Sequence, residues 1–177
     1  MSTPLIRYHA AMSLDGFIAD REGGVHWLEG HPEPTIDFGA FMERHPTLVM
    51  GRSTYDQCLG FGWPYGGRRV VVLTSKPLAP DAPEGVAAWS GPVPELARRL
   101  RAETVGGDIW IVGGGKVAQA FLEAGEIDRL DVAIIPEVLG GGIPLLSGGT
   151  RGCRLELLEQ GRYPSGIARL EYAVARP

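Results

Sequence analysis

Residues Ile109-Trp110-Ile111-Val112-Gly113-Gly114-Gly115-Lys116-Val117-Ala118-Gln119-Ala120-Phe121-Leu122 constrain this chain more than any other stretch. Four apolar residues in a row before a glycine turn suit a short strand covered on both faces. Beyond the turn, Val117, Phe121 and Leu122 fall on one side of an amphipathic helix. Three glycines permit backbone angles closed to other residues and let another group approach the main chain closely. A helix start adds unpaired N–H groups and a partial positive charge, a combination suited to phosphate. A tight strand-to-helix turn with no ligand would use the same residues, so the rest of the chain has to decide.

The 177 residues allow one domain, 1–177, with a sizeable core. A formal net charge of -4 gives a nucleic-acid partner no electrostatic support. The pairs Arg68-Arg69 and Arg98-Arg99 are short and read as solvated faces. Cys58 and Cys153 have neither CxxC nor metal-ligand spacing and read as reduced thiols of a cytoplasmic protein, with no metal expected. No signal pattern opens the sequence and no apolar run reaches membrane-spanning length, so no membrane partner is expected.

In chain order, residues 5–13 read as a first strand, buried for much of its length, followed by a turn at Asp15-Gly16. A long irregular stretch, 21–35, contains Trp27; stretches of this length often cover active sites. Thr35 is a plausible N-cap for a helix with Phe38, Phe41 and Met42 on its inner face. Asp37 would then sit in the first turn, either complementing the helix dipole or facing a pocket as a proton donor. It precedes Phe41 by one turn, so both can line one cavity. Residues 47–50 form a buried strand, and Gly51-Arg52-Ser53-Thr54-Tyr55 opens the next helix. The strand 69–73 ends in the polar cluster Thr74-Ser75-Lys76. A weak strand at 86–89, a helix at 94–104, the central strand–glycine–helix unit and a strand at 130–136 follow. A glycine-rich loop then occupies 139–150, and the hairpin 155–163 and 167–175 closes the chain. Alternating strands and helices with a closing antiparallel pair imply an α/β three-layer sandwich on one mixed, mostly parallel sheet.

Three strand ends thus carry phosphate-suited chemistry: 51–54, 74–76 and 113–117. Ligands of open α/β sheets collect at the carboxyl ends of strands, and three such ends suit a dinucleotide. Gly113-x-Gly115-x-x-Ala118 mimics the Rossmann fingerprint but comes too late in the chain, and Lys116 is followed by Val117, not by the Ser or Thr of a P-loop.

Four segments then combine into a resemblance. Ala11-Met12-Ser13-Leu14-Asp15-Gly16-Phe17-Ile18-Ala19, Gly51-Arg52-Ser53-Thr54-Tyr55, Leu73-Thr74-Ser75 and Ile111-Val112-Gly113-Gly114-Gly115-Lys116-Val117 together resemble the dihydrofolate reductase superfamily. Leu139-Gly140-Gly141-Gly142-Ile143-Pro144-Leu145-Leu146 brings the chain closer to the branch related to the reductase domain of the riboflavin-biosynthesis deaminase–reductase. The resemblance implies a dihydrofolate reductase-like fold, a homodimer, and an NADPH-dependent reductase acting on a pyrimidine- or pterin-like substrate. An activity of the 5-amino-6-(5-phosphoribosylamino)uracil reductase type is one form of this. It places Gly51, Arg52, Ser53 and Thr54 near the adenosine and phosphates, and Leu73, Thr74 and Ser75 on the adenine and 2′-phosphate side. Gly113, Gly114, Gly115, Lys116 and Val117 would cradle the pyrophosphate, with a cis Gly113–Gly114 bond. Asp37 matches the family's catalytic acid, Asp15 stands at the edge of the nicotinamide pocket, and Trp27 and Phe41 fall on the substrate side.

Ala118 stands where dihydrofolate reductases commonly carry an aromatic residue, and 16–37 departs from their pattern. Beside the reductase stand three alternatives: a non-catalytic NADP-binding or regulatory protein, suggested by these departures; a structural dimer module without a ligand, suggested by the apolar closing hairpin and the glycine-rich loop; and a dihydrofolate reductase.

Overall fold

A computed structural model describes residues 3–33, 35–149 and 152–175. Eight strands form one sheet: β1 (Ile6–Ser13), β3 (Thr47–Gly51), β4 (Arg69–Leu73), β5 (Val86–Trp89), β6 (Ile109–Gly113), β7 (Arg129–Ile135), β9 (Leu155–Arg162) and β10 (Ala168–Val174). Their order across the sheet is β5-β4-β3-β6-β1-β7-β10-β9. Neighbours from β5 to β7 run parallel, and the β9–β10 hairpin adds to β7 antiparallel. The mixed, mostly parallel sheet read from the sequence is therefore present. A second sheet of two strands, β2 (Phe17–Ala19) with β8 (Ile143–Pro144), was not foreseen. It ties the turn after β1 to the glycine-rich loop, of which Thr150 lies outside the described residues, as does Pro34 of the 21–35 stretch.

Four helices cover the sheet: α1 (Phe38–Glu43), α2 (Arg52–Gly60), α3 (Val93–Glu103) and α4 (Gly115–Glu123). Helices α3 and α4 bury Leu96, Ala97, Leu100, Val117, Phe121 and Leu122 against Ile6, Tyr8, Ile109 and Ile111. On the opposite face Met42 of α1 and Tyr55 and Cys58 of α2 pack on Leu48, Met50, Val70, Val72 and Trp110. That is the three-layer arrangement, and it explains why β3 and β4 are unbroken apolar runs: both faces are covered. Each fully buried side chain of this kind contributes about 1.5–3 kcal/mol. Among the described residues no helix is long and apolar enough to cross a membrane.

Strand β1 differs from the reading that most of it is buried. Ile6 and Tyr8 are buried under α3 and α4, whereas Arg7 and His9 point to the other face and are only partly covered. Helices α1 and α2 shield that face over β3, β4 and β6 but leave it open over β1, β7, β10 and β9, which form the floor of a cavity.

Candidate active site

The cavity has a volume of about 710 Å³. Its rim is α1 and the segment before it. The helix begins at Phe38 with Asp37 as N-cap: Asp37 Oδ1 accepts the Ala40 N–H at 2.9 Å. Thr35 lies two residues outside, because its hydroxyl and N–H turn to Glu33 instead. Asp37 and Phe41 line the cavity together, as the one-turn spacing requires. Phe38 does not join the inner face; it is 50% exposed and, with Ile36, leaves apolar surface at the mouth.

The floor carries a row of ionisable side chains in register across four strands. His9 pairs with Asp131, Asp131 with Glu171, and Glu171 with Glu159. Arg169 grips Asp131 with two donors, Nε to Oδ1 at 3.2 Å and Nη2 to Oδ2 at 2.7 Å, and reaches Glu171 and Glu159 as well. Arg7 bridges Asp108 and Glu171. A carboxylate as buried as Asp131 is stable only when paired and hydrogen-bonded in this way. Its side chain, close to Arg169, raises the guanidinium pKa beyond its ordinary value. His9 Nε2 lies 3.3 Å from Asp131 Oδ2. Burial nonetheless dominates: it pushes the His9 imidazolium down to about 4, Asp131 only partly opposing it.

Aromatic rings complete the wall. Phe41 meets His9 and Trp110 edge to face, each at 4.8 Å between centroids. Trp110 Nε1 donates to the His9 carbonyl at 3.2 Å, fixing β1 against β6. His45 Nδ1 donates to the Phe41 carbonyl at 2.7 Å, closing α1.

The strand ends singled out in the sequence meet along one edge of the sheet, since β4, β3 and β6 are parallel neighbours. Helices α2 and α4 begin there at Gly51 and Gly114 without any side-chain cap, so their first N–H groups remain available. The Gly114 N–H donates to Thr54 Oγ1 at 3.2 Å, joining the two junctions. A bulge precedes the glycines: Val49 pairs with Ile111 but Met50 with Gly113, so Val112 has no partner on β3. The three glycines differ in what they do. A Cβ on Gly115 would stand 2.3 Å from the Pro144 carbonyl oxygen, so close packing of α4 against the 144–147 segment requires glycine. A Cβ on Gly113 or Gly114 would meet only Thr54, at 3.5 and 3.7 Å, so no protein neighbour requires glycine at either place.

The expected cis Gly113–Gly114 bond is absent; no peptide bond among the described residues is cis. A trans bond is the ordinary state outside proline, and Thr54 holds Gly114 in it. Arg52 lies over α2 and its loop, Nε on Asp56 and Nη1 on the Pro77 carbonyl. Leu73 ends β4, Ser75 is exposed, and Thr74 closes a turn with Lys76. Lys116 is exposed and Val117 buried.

Asp15 and Trp27 do not line the cavity. Asp15 accepts three hydrogen bonds, from Ser13 Oγ at 2.7 Å and from the N–H groups of Leu139 and Gly140 at 3.1 and 2.8 Å. The Ser13 hydroxyl, with those two N–H groups, holds its carboxyl below the usual range. Trp27 sits in a short 3-10 turn, His26–Gly30, its indole N–H buried without a partner among the described residues.

The matching family model settles the larger kinship: RibD C-terminal domain, over residues 63–168. The chain belongs to the RibD C-terminal domain family. A relative 34% identical over 152 residues, covering 84% of this chain and 86% of its own, is the uncharacterized protein YwjB of Bacillus subtilis. A solved structure from Shewanella sp. PV-4, provisionally described as a riboflavin biosynthesis protein, matches at TM-score 0.85 and 32% identity over 97% of this chain and 99% of that one. Dihydrofolate reductase from Enterococcus faecalis, solved with NADP(H), matches at TM-score 0.67 and 25% identity over 96% of both chains. This RibD-type domain is thus a dihydrofolate reductase-like fold with reductases among its neighbours.

Sequence reasoning did not find His9, Asp131, Arg169, Arg7 or Glu171. The signal was there: Arg7 and His9 in β1, Arg129 and Asp131 in β7, and Arg169 and Glu171 in β10 alternate with apolar residues. Period-two polarity in strands of this kind marks an uncovered face.

Proposed function

We propose that this protein is an NADPH-dependent reductase that transfers hydride to a planar nitrogen heterocycle, pyrimidine- or pterin-like, held in the cavity between β1 and α1. The observation that carries the reading is strand β6. Trp110 lines the cavity and Gly113 opens the uncapped glycine junction three residues later, about 10 Å along the strand. One strand therefore joins a substrate-sized cavity to a phosphate-suited edge.

The residues at that edge fit a dinucleotide. Two uncapped helix starts offer N–H donors, and nothing in the protein demands glycine at 113, which leaves the close approach to a ligand. Gly51, Ser53, Thr54, Gly113, Gly114, Gly115, Lys116 and Val117 would hold the pyrophosphate and adenosine, and Arg52, Leu73, Thr74 and Ser75 the adenine and 2′-phosphate. When bound, the nicotinamide supplies the hydride. The chain's own residues orient the acceptor and move the proton. Phe41 and Trp110 form an apolar wall for a flat ring, and Ile36 and Phe38 add a lip that a bound ring would cover. Asp37 keeps Oδ1 on the Ala40 N–H, so Oδ2 is the oxygen that would hold a ring N–H and supply or relay the proton. Asp15 acts as a clamp between the turn after β1 and the glycine-rich loop.

Asp37→Asn is the test. It keeps the cap and should bind NADPH as the parent does, while losing turnover with the substrate that the parent reduces. Full turnover by Asp37→Asn would remove Asp37 from the chemistry.

The reading extends to a homodimer. Strand β9 ends the sheet, and its Leu155, Leu157 and Leu158 are exposed on an unpaired edge that a second copy would cover. Light scattering of the purified protein should give twice the chain mass.

A further inference from the structure

Trp89 is the last residue of β5, the strand at the opposite end of the sheet from β9. In register it stands beside Leu73, and Leu73 stands beside Gly51. The row Gly51, Leu73, Trp89 crosses three strand ends, about 10 Å at the usual strand spacing. The Thr74 N–H donates to the Trp89 carbonyl at 2.9 Å, so the ends of β4 and β5 stay joined beyond the last ladder pair. A dinucleotide lying along this edge has a direction. Its nicotinamide must face the cavity, over β1 and β6, and its phosphates the junctions at Gly113 and Gly51. The next strands in line are β4 and β5, so the adenine end points toward Leu73 and Trp89.

The Trp89 indole is held in place. Its Nε1 donates to the Gly91 carbonyl at 2.9 Å. The ring lies so near Gly91 that a Cβ there would stand 2.9 Å from Cζ2. Trp89, Leu73 and Val93 all pack against the core beneath α3 and α4, yet all three are only partly covered. The polar atom of the indole is thus satisfied, and part of a flat apolar ring is left at the surface. Such a ring suits a second flat ring, because every base has a face that stacks on an aromatic side chain. A ring already fixed loses little rotamer freedom when the base arrives.

We infer that Trp89 is the adenine platform of the dinucleotide site: the base stacks on the uncovered part of its indole, beside Leu73. Trp89 binds the cofactor and touches no reacting atom. The inference rests on the NADPH reading and adds to it the residue that holds the base.

Two measurements on the full chain decide it. Nitrogen-15 labelling of the four tryptophans gives four indole N–H signals, and Trp89→Phe identifies that of Trp89. Adenosine 2′,5′-bisphosphate, the adenine half of the cofactor, should move the Trp89 signal most and leave that of Trp110, in the cavity, in place. Calorimetry then compares the variants. Trp89→Leu keeps apolar cover on the core and should melt near the parent. It should bind both adenosine 2′,5′-bisphosphate and NADPH about tenfold more weakly, the size of one stacking contact. Trp89→Phe, still aromatic, should recover most of that loss. A Trp89 signal that stays still in the bound parent would overturn the inference, as would equal affinity of Trp89→Leu and the parent, and either result would leave the NADPH reading standing. The signal is read on the parent chain, so it decides even where Trp89→Leu fails to fold. A parent that binds neither nucleotide would overturn both readings.

Discussion

His9 and Asp131 face each other across two parallel strands, Nε2 3.3 Å from Oδ2, at a point where the carboxylate is only 2% exposed. That pair is the centre of an ion network that fills the open half of one sheet face, and its consequences are measurable.

Removing the arginine that compensates Asp131 should be costly. Arg169→Met leaves a buried carboxylate without its two donors. Breaking a buried pair on one side costs about 3–5 kcal/mol. For a domain of this size that corresponds to a fall of roughly 10 °C in Tm. Arg169→Met with Asp131→Asn should recover a large part of the loss, since the buried charge at 131 is then gone. Thermal unfolding of the two variants, compared at the same pH, checks both statements.

The His9 imidazole sets a pH window. Its folded-state value is lowered to about 4, chiefly by burial, while the unfolded chain titrates near the ordinary 6.5. Between those values the unfolded state binds the extra proton, so stability falls as the pH falls from 6.5 to about 4. The groups facing the ring are Asp131, which opposes the lowering, and His45, Arg169 and Arg7, which add to it. Every tenfold difference in proton affinity between the folded and unfolded chain is worth about 1.4 kcal/mol. Urea unfolding from pH 7 to pH 4 should therefore show a shallower decline for His9→Gln than for the parent.

Gly113 and Gly115 should separate binding from packing. Alanine at 115 would place Cβ 2.3 Å from the Pro144 carbonyl oxygen, so α4 must move off the 144–147 segment. Overpacking of this kind costs about 1–3 kcal/mol. Alanine at 113 meets Thr54 at ordinary contact distance and should fold normally. If the junction cradles NADPH, Gly113→Ala weakens that binding although the fold is intact. A melting curve and a cofactor titration on each variant make the comparison.

Asp15 should prove structural. Asp15→Ala frees the N–H groups of Leu139 and Gly140 and the hydroxyl of Ser13. Amide hydrogen exchange at 139 and 140 should accelerate. Unchanged exchange there would mean that the clamp is not what holds the glycine-rich loop.

Much of this was legible in the chain. The strand–glycine–helix junctions at 51 and 113 could be read because a buried strand, a glycine and an amphipathic helix each leave a local signature. Asp37 and Phe41 could be paired because helical spacing is fixed. The start of α1 was misplaced because Thr35 spends its donors on Glu33, a choice no spacing reveals. The β2–β8 sheet was missed because its strands are three and two residues long and pair across more than a hundred residues. The ion row on the cavity floor joins β1, β7, β10 and β9, and its register follows from strand order, which is a property of the folded sheet. The alternation of Arg7 and His9 was present in the sequence but outweighed by the apolar residues between them.

The central claim is that the edge formed by Gly51, Thr54 and Gly113 holds a dinucleotide carrying a 2′-phosphate. Calorimetric titration of the purified protein with NADPH and with NADH tests it most directly. The account predicts one NADPH per chain, bound about tenfold or more tightly than NADH, since a charged hydrogen bond to the extra phosphate is worth about 1.5–3 kcal/mol. No binding of either nucleotide would contradict it and would leave those strand ends as tight turns.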